Sequence, residues 1–410
     1  MNEENGRTGA KRWDGQFREE FERELQGIRG VHTYQEMADN DDVVGAILFA
    51  IKMLIRQADW TVRAGGTEQR DLEAAEFVES CLHDMQSTWT DTVSEILSFL
   101  TYGWSVHEIV YKRRMGHKRD VRIDSKFDDG LIGWQKLPIR SQESLYEWEY
   151  DEFDNLTAFV QMPAPDYKIR RIPAEKFLLF RTESRKDNPE GRSILRNAFR
   201  SWFFKKRIQE IEGIGIERDL AGFPVIIAPP DLKIWNESNT HLNQLAKEFV
   251  QNIRRDSMEG VVLENGWELK LLSTGGSRQF DTSKIIERYD TRIAMTVLAD
   301  FLFLGHEKAG SWALSSDKTE LFSMATGAFL DVICETFNRK AIPALMLLNK
   351  NKFGNAATPE LAHGDLETQN LKELGDYLKC LSEMGFITPD ESLENYLREQ
   401  ASLPPKLEDA

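Results

Sequence analysis

A chain of 410 residues that is 41% hydrophobic and 29% charged can bury a substantial core and should divide into two or more domains. Its net charge of −16 works against tight nucleic-acid binding, which draws affinity from basic side chains on phosphates. No apolar run approaches the ~20 residues needed to cross a bilayer, and Cys81, Cys334 and Cys380 lack the spacing of a disulfide framework or a zinc site.

Residues 1–30 are dense in both charge signs, carry no secretory apolar region and read as a mobile arm. Residues 39–59 form the first clear helix: Asp39, Asn40 and Asp41 supply the cap, and Val43, Val44, Ile47, Ala50, Ile51 and Leu54 share a face. A short strand, Trp60–Arg63, precedes helices over 67–85 and 90–101, and Gly103 stops the second before a strand at 104–111. Residues 130–181 alternate apolar and polar in four short runs separated by turn signals, which predicts a small antiparallel sheet.

The period becomes helical again from Arg192 to about Asp219, on the order of 40 Å at ~1.5 Å per residue. Gly222, Phe223 and Pro224 end that helix. A compact insert follows, with strands at 225–228, 260–264 and 267–272 around a helix at 238–253. The chain returns by a helix that is charged through Arg292 and apolar from Ile293 to Leu304. A Gly-flanked polar loop at 305–316 then presents His306, Lys308, Ser311 and Trp312, and another long helix runs from Asp317 to about Leu348. The tail, 361–410, reads as small and helical. Long helices that carry a small module at their far end leave apolar surface uncovered, so the pattern asks for an oligomer.

The search for chemistry returns little. Phosphate-loop, zincin, nucleophile-elbow and dinucleotide-binding motifs are absent, and Gly213-Ile214-Gly215 lacks the third glycine. Asp128-Asp129-Gly130 fails the calcium-loop spacing, and His107-Glu108 reads as packed strand residues. No cofactor, metal or catalytic centre is expected. Charge, by contrast, is segregated. Residues 192–218 hold seven basic residues against three acids, while 361–410 hold four against eleven. Arg192, Arg196 and Arg200 recur every four residues, as do Lys284, Arg288 and Arg292, so each set should stripe one helix face. Such stripes serve either ion pairs, within or between subunits, or phosphate contacts.

Several segments together resemble the portal proteins of tailed bacteriophages. They are Tyr102-Gly-Trp-Ser-Val-His-Glu-Ile-Val-Tyr111, Arg171-Ile-Pro-Ala-Glu-Lys-Phe-Leu-Leu-Phe-Arg181 and Asn188-Pro-Glu-Gly-Arg-Ser-Ile-Leu195. Glu217-Arg-Asp-Leu-Ala-Gly-Phe-Pro224, Ala299-Asp-Phe-Leu-Phe-Leu-Gly305 and Gly385-Phe-Ile-Thr-Pro-Asp390 follow in order. The resemblance implies a mostly helical α+β fold with a wing at 31–190, stem helices at 191–220 and 281–304, and a clip at 221–280. A tunnel loop at 305–316, a long wing helix at 317–350 and a crown at 351–410 complete it. It also implies a ring, commonly of twelve subunits, at one capsid vertex, through which double-stranded DNA is packaged and ejected. The implied partners are the terminase, major capsid and scaffolding proteins, and head-completion or adaptor proteins. An acidic chain suits a channel in which DNA slides, and Lys308 would place one cation per subunit in it. Two rival readings stay open: a nucleic-acid-processing hydrolase with scattered carboxylates as metal ligands, and a helical scaffold or adaptor that does not touch DNA.

Overall fold

The structure, a computed structural model, describes residues 8–221, 223–252, 263, 265–272, 281–299, 312–364, 378–382, 384 and 394. The chain forms two compact units, one from Met1–Leu195 with Phe301–Ala410 and the other from Arg196–Asp300.

The first unit opens on a hairpin, β1 (Arg12–Trp13) and β2 (Gln16–Phe17), turned by Asp14 and Gly15, both at positive φ. This corrects the expectation of a mobile arm for residues 10–17. Gly15 accepts the Trp148 N–H at 2.9 Å, Phe17 joins the core, and Arg12 pairs with Asp154 at 2.9 Å while lying 3.9 Å over the Tyr150 ring. The Asp-Gly turn signal was hidden because each strand is only two residues long.

Helices α1 (Gly27–Asn40) and α2 (Asp42–Arg56) meet at Asp41, whose carboxylate accepts the Val43 and Val44 N–H groups at 3.1 and 3.0 Å. Val44, Ile47, Leu48, Ile51 and Ile55 form the buried face of α2; of the expected face, Val43, Ala50 and Leu54 are only half-buried. Strand β3 (Trp60–Arg63) leads to α3 (Gln69–His83), α4 (Trp89–Ile96) and α5 (Ser98–Tyr102), and Gly103 at φ 93° ends the last.

The strands that follow are β4 (Trp104–Glu108), β5 (Val110–Arg113), β6 (Ile132–Lys136), β7 (Ile139–Arg140), β8 (Leu145–Tyr150), β9 (Leu156–Gln161), β10 (Arg170–Pro173) and β11 (Phe177–Arg181). They divide into antiparallel sheets of order β10-β9-β8, β11-β4-β7 and β5-β6 instead of one small sheet. Residues 104–111 are not one strand. At Ile109 the backbone N–H turns to the Lys176 carbonyl, and the chain changes partner. Trp104, Val106, Trp148, Phe159, Ile172 and Phe177 fill the core with Phe17, and Trp148 meets both Trp104 and Phe159 edge-on at 5.2 Å.

The second unit holds α6 (Phe199–Ala221), β12 (Phe223–Ile227), α7 (Thr240–Asn252), β13 (Glu268–Leu272) and α8 (Thr282–Met295). Strands β12 and β13 pair antiparallel from Phe223↔Leu272 to Ile227↔Glu268. Helix α8 stops at Met295, earlier than the expected Leu304, in a turn where Leu298 takes φ 59°.

Back in the first unit, α9 (Trp312–Thr336) passes through a π turn (Phe337–Ala341) into α10 (Ile342–Leu348), followed by α11 (Lys350–Phe353) and β14 (Glu360–His363). The Ile342 N–H reaches back five residues to the Phe337 carbonyl. That wider turn keeps the Pro343 ring off the preceding carbonyls, where a regular helix would clash. Strand β14 closes on β3, with Leu361 opposite Val62. Two buried or half-buried amides lock this end. Asn338 exchanges bonds of 2.9 and 2.7 Å with the Leu361 backbone, and Asn349 exchanges two of 2.8 Å with the Ile132 backbone. No described helix is long and apolar enough to cross a membrane.

Candidate nucleic-acid interface

The second unit is organised by α6 against α8. Lys205 Nζ lies 2.5 Å from Asp290 Oδ1, and Thr282 donates its hydroxyl to Glu212, so the helices run antiparallel. The Phe204 and Tyr289 rings stack between them at 6.4 Å and 20°. Lys205 is only 1% exposed, and burial of an ammonium demands a partner of opposite charge. In the sequence Lys205 is only one of the seven basic residues counted over 192–218. Its spacing from the buried Ala198 and Trp202 shows that it belongs to the inward face.

The opposite side of α6 is apolar and open. Phe203 lies there with Ile211, 66% exposed, and Ile214, 53% exposed, while Phe204 sits at its edge against Tyr289. Five cations of this helix pair rest on rings. Arg200 sits 5.9 Å from the Phe204 centroid, Arg207 5.4 Å from Phe203 and Lys206 5.5 Å from Trp202. Arg288 and Arg292 flank Tyr289 at 5.4 and 6.0 Å. Each such contact contributes on the order of 0.5–1 kcal/mol at exposed sites. Sequence reasoning missed these seats, although an aromatic residue four from an arginine (Phe204 after Arg200, Phe203 before Arg207) is their signal.

The two stripes fare differently. Lys284, Arg288 and Arg292 all lie on α8, exposed and four apart, with Lys284 paired to its own cap, Asp281, at 3.3 Å. Arg192, Arg196 and Arg200 do not share a helix. Arg192 precedes any helical turn, Arg196 sits in the 3₁₀ turn Ile194–Asn197, and only Arg200 is in α6. Ser193 causes the difference. Its hydroxyl donates to the Thr101 carbonyl at 2.6 Å and accepts the Leu195 N–H at 3.0 Å, which fixes a non-α turn. Of the loop residues, His306, Lys308 and Ser311 lie outside the described residues, and Trp312 begins α9 with its side chain also outside them.

Three of the segments that carry the family resemblance meet in space. Strand β11 pairs with β4, Arg181 opposite Trp104. The Gly103 carbonyl accepts the Thr182 N–H at 3.1 Å, and a Cβ on Gly191, itself at φ 57°, would fall 2.2 Å from that same oxygen. No residue but glycine fits there. Trp148 donates its indole N–H at 3.3 Å to Glu190, a half-buried side chain. Desolvation pushes the Glu190 carboxyl up to about 7, the indole bond opposing it. His107 is fully buried, with Nδ1 2.9 Å from the Leu137 carbonyl; burial holds its pKa down to about 4, assisted by Arg140. Both groups belong to the core of this junction, and among the described residues no three His, Cys, Asp or Glu gather to hold a metal ion.

A family model described as the portal protein of Mu bacteriophage matches residues 31–403. Among solved structures, one described as "Neck of native GTA particle computed with C12 symmetry" aligns over 97% of this chain and 97% of that chain, at 12% identity and a TM-score of 0.52. Another, "Neck of empty GTA particle computed with C6 symmetry", aligns over 91% and 94% at 11% identity and a TM-score of 0.51. At such identities the likeness is one of fold. The family match spans both units and the junction where the resembling segments converge, and on that ground the chain belongs to the family of the portal protein of Mu bacteriophage.

Proposed function

We propose that the protein assembles with copies of itself into a ring, commonly of twelve subunits, at one capsid vertex of the virion, and that double-stranded DNA passes through its axis during packaging and ejection. The observation that carries this reading is the two-faced α6. One face buries Lys205 and Trp202 and the other leaves Phe203, Ile211 and Ile214 exposed, a surface suited to the same helix pair in a neighbouring copy. The cations seated on aromatic rings along α6 and α8 would then either tie copies together or meet phosphate.

In this reading residues 31–190 form the wing, α6 and α8 the stem, and the module of β12, α7 and β13 the clip. The terminase docks at the clip, to be followed by head-completion or adaptor proteins, while the body meets capsid and scaffolding proteins. Residues 305–316 line the narrow part of the channel. The family is a structural one, and we assign the chain no catalytic role; the energy for packaging comes from the terminase.

Electron microscopy of the purified full chain, with native mass to count subunits, tests the reading. Closed rings whose hole admits duplex DNA, about 20 Å or more, support it. A monomer or dimer under every condition, including with scaffolding protein present, overturns it.

A further inference from the structure

Residues 112–126 hold seven Lys and Arg against two Asp, a dense positive run in a chain of net charge −16. They link β5 to β6 in the first unit and extend that hairpin, with Gly116 N–H on the Phe127 carbonyl at 2.9 Å and Arg114 N–H on the Leu131 carbonyl at 2.8 Å. The tip, residues 117–124, is closed by its own carboxylates. Asp124 accepts the Lys118 N–H at 2.7 Å and lies 3.3 Å from His117 Nδ1. Asp120 takes the Arg122 backbone N–H at 3.0 Å and its guanidinium at 2.8 Å.

The base of the tip is anchored to the end of α3. Lys112 Nζ donates to the carbonyls of Asp84 and Asp124 at 2.5 and 2.6 Å and pairs with the Asp84 carboxylate at 3.1 Å. Gln86 holds the Val121 carbonyl at 2.7 Å. Lys112 and Arg114 are thus buried supports, Arg114 being paired with Asp129 at 2.9 Å, and Lys126 is spent on the His83 carbonyl at 2.9 Å. Arg113, Lys118 and Arg119 remain exposed, and none has a carboxylate within ion-pair distance among the described residues. The loop consumes both of its carboxylates internally and presents only positive charge on a turn that is already ordered.

We propose that this tip is a second nucleic-acid contact, on a different unit from the α6 and α8 cations, gripping the sugar–phosphate backbone of double-stranded DNA through Lys118 and Arg119 without reading sequence. It rests on the portal reading only in taking duplex DNA as the ligand. Neighbouring unpaired cations suit a ligand whose charges recur every few ångströms along its length.

Binding of the full-length protein to a duplex of about ten base pairs, one helical turn, is measured by fluorescence anisotropy across a salt series. Lys118→Gln with Arg119→Gln removes two phosphate contacts, so the slope of log affinity against log salt becomes shallower by about 2. Raising salt from about 50 to about 200 mM then weakens wild type about ten-fold more than the double variant. Arg119→Lys keeps its charge and the wild-type slope. An unchanged slope in the double variant overturns the proposal. So does a variant that binds duplex normally but loses affinity for a synthetic peptide of residues 361–410, which would make the tip a contact for acidic protein. The slope comparison does not depend on ring formation, so this proposal and the portal reading fail separately.

Discussion

Replacing Asp84 by asparagine isolates the buried charge at the base of the β5–β6 loop. The Asp84 and Lys112 side chains are 2% and 3% exposed. The carboxylate accepts three contacts: Lys112 Nζ at 3.1 Å, the Ser125 hydroxyl at 2.6 Å and the Lys126 N–H at 2.8 Å. Asparagine keeps the shape but turns an amide donor toward groups that themselves donate. It leaves the Lys112 ammonium with carbonyl partners only. Breaking one side of a buried ion pair costs about 3–5 kcal/mol. At ~2–4 °C per kcal/mol, a value typical of domains of ~150–250 residues, Asp84→Asn should lower the melting temperature by on the order of 10 °C. Circular dichroism reads the melt, and hydrogen exchange of residues 117–126 should quicken as the tip loses its anchor. A variant that melts within about 1 °C of wild type, with unchanged exchange, would refute the reasoning.

Glu190→Gln should alter the pH profile of stability. The raised carboxyl, near 7 in the fold against ~4.3 unfolded, favours the fold fully at low pH, and that contribution is lost as pH climbs to about 7. The glutamine variant therefore equals wild type near pH 4 and exceeds it by roughly 1–3 kcal/mol at pH 8; equal melting at pH 8 would count against a buried carboxyl. His107, held to about 4, tilts oppositely, its contribution being lost as pH falls from ~6.5 to about 4, so the variant should show this slope unmasked. Asn349→Ala strands the Ile132 N–H and carbonyl and should cost about 2–3 kcal/mol in denaturant unfolding, whereas a loss under ~0.5 would mean that water replaces the amide. Lys308→Glu should leave ring assembly intact and reduce DNA packaging, and normal packaging by that variant would remove Lys308 from the channel wall.

Periodic elements were legible and exceptions were not. The face of α2 and its Asp41 cap follow from a 3.6-residue period with a short polar residue ahead of it. Strand β10 escaped notice because Arg170 and Arg171 look like loop and Pro173 looks like an end. Arginines four apart imitated helix before one existed, since Ser193 captures the backbone there and no local pattern announces a tertiary hydrogen bond to Thr101. The π turn at Phe337 is equally silent, although Pro343 was a clue that the long helix needed relief. At the candidate interface, Lys284, Arg288 and Arg292 lie four apart and exposed along α8. The inward role of Lys205 was missed because charge was read before position in the helical repeat. The basic tip at 117–124 was overlooked because its meaning depends on which carboxylates the loop has already used.

The interrupted first unit sets an order of events at the ribosome. Strand β3 ends at Arg63, but the strand that covers it begins at Glu360, about 300 residues later. At ~5–20 residues per second, roughly 15–60 s of synthesis separate the two. Asp71, which accepts the Ala357 N–H at 2.8 Å, waits as long. The second unit lies wholly inside that interval, and Lys205 finds Asp290 across a far shorter loop. A nascent chain therefore completes its α6–α8 pair while β3 still lacks its partner strand. If copies associate through α6, the contact surface is ready before the subunit that bears it is finished. Nascent chains on one polysome could meet with β3 unpaired, and the late arrival of β14 then becomes the step that separates correct closure from strand exchange between neighbours.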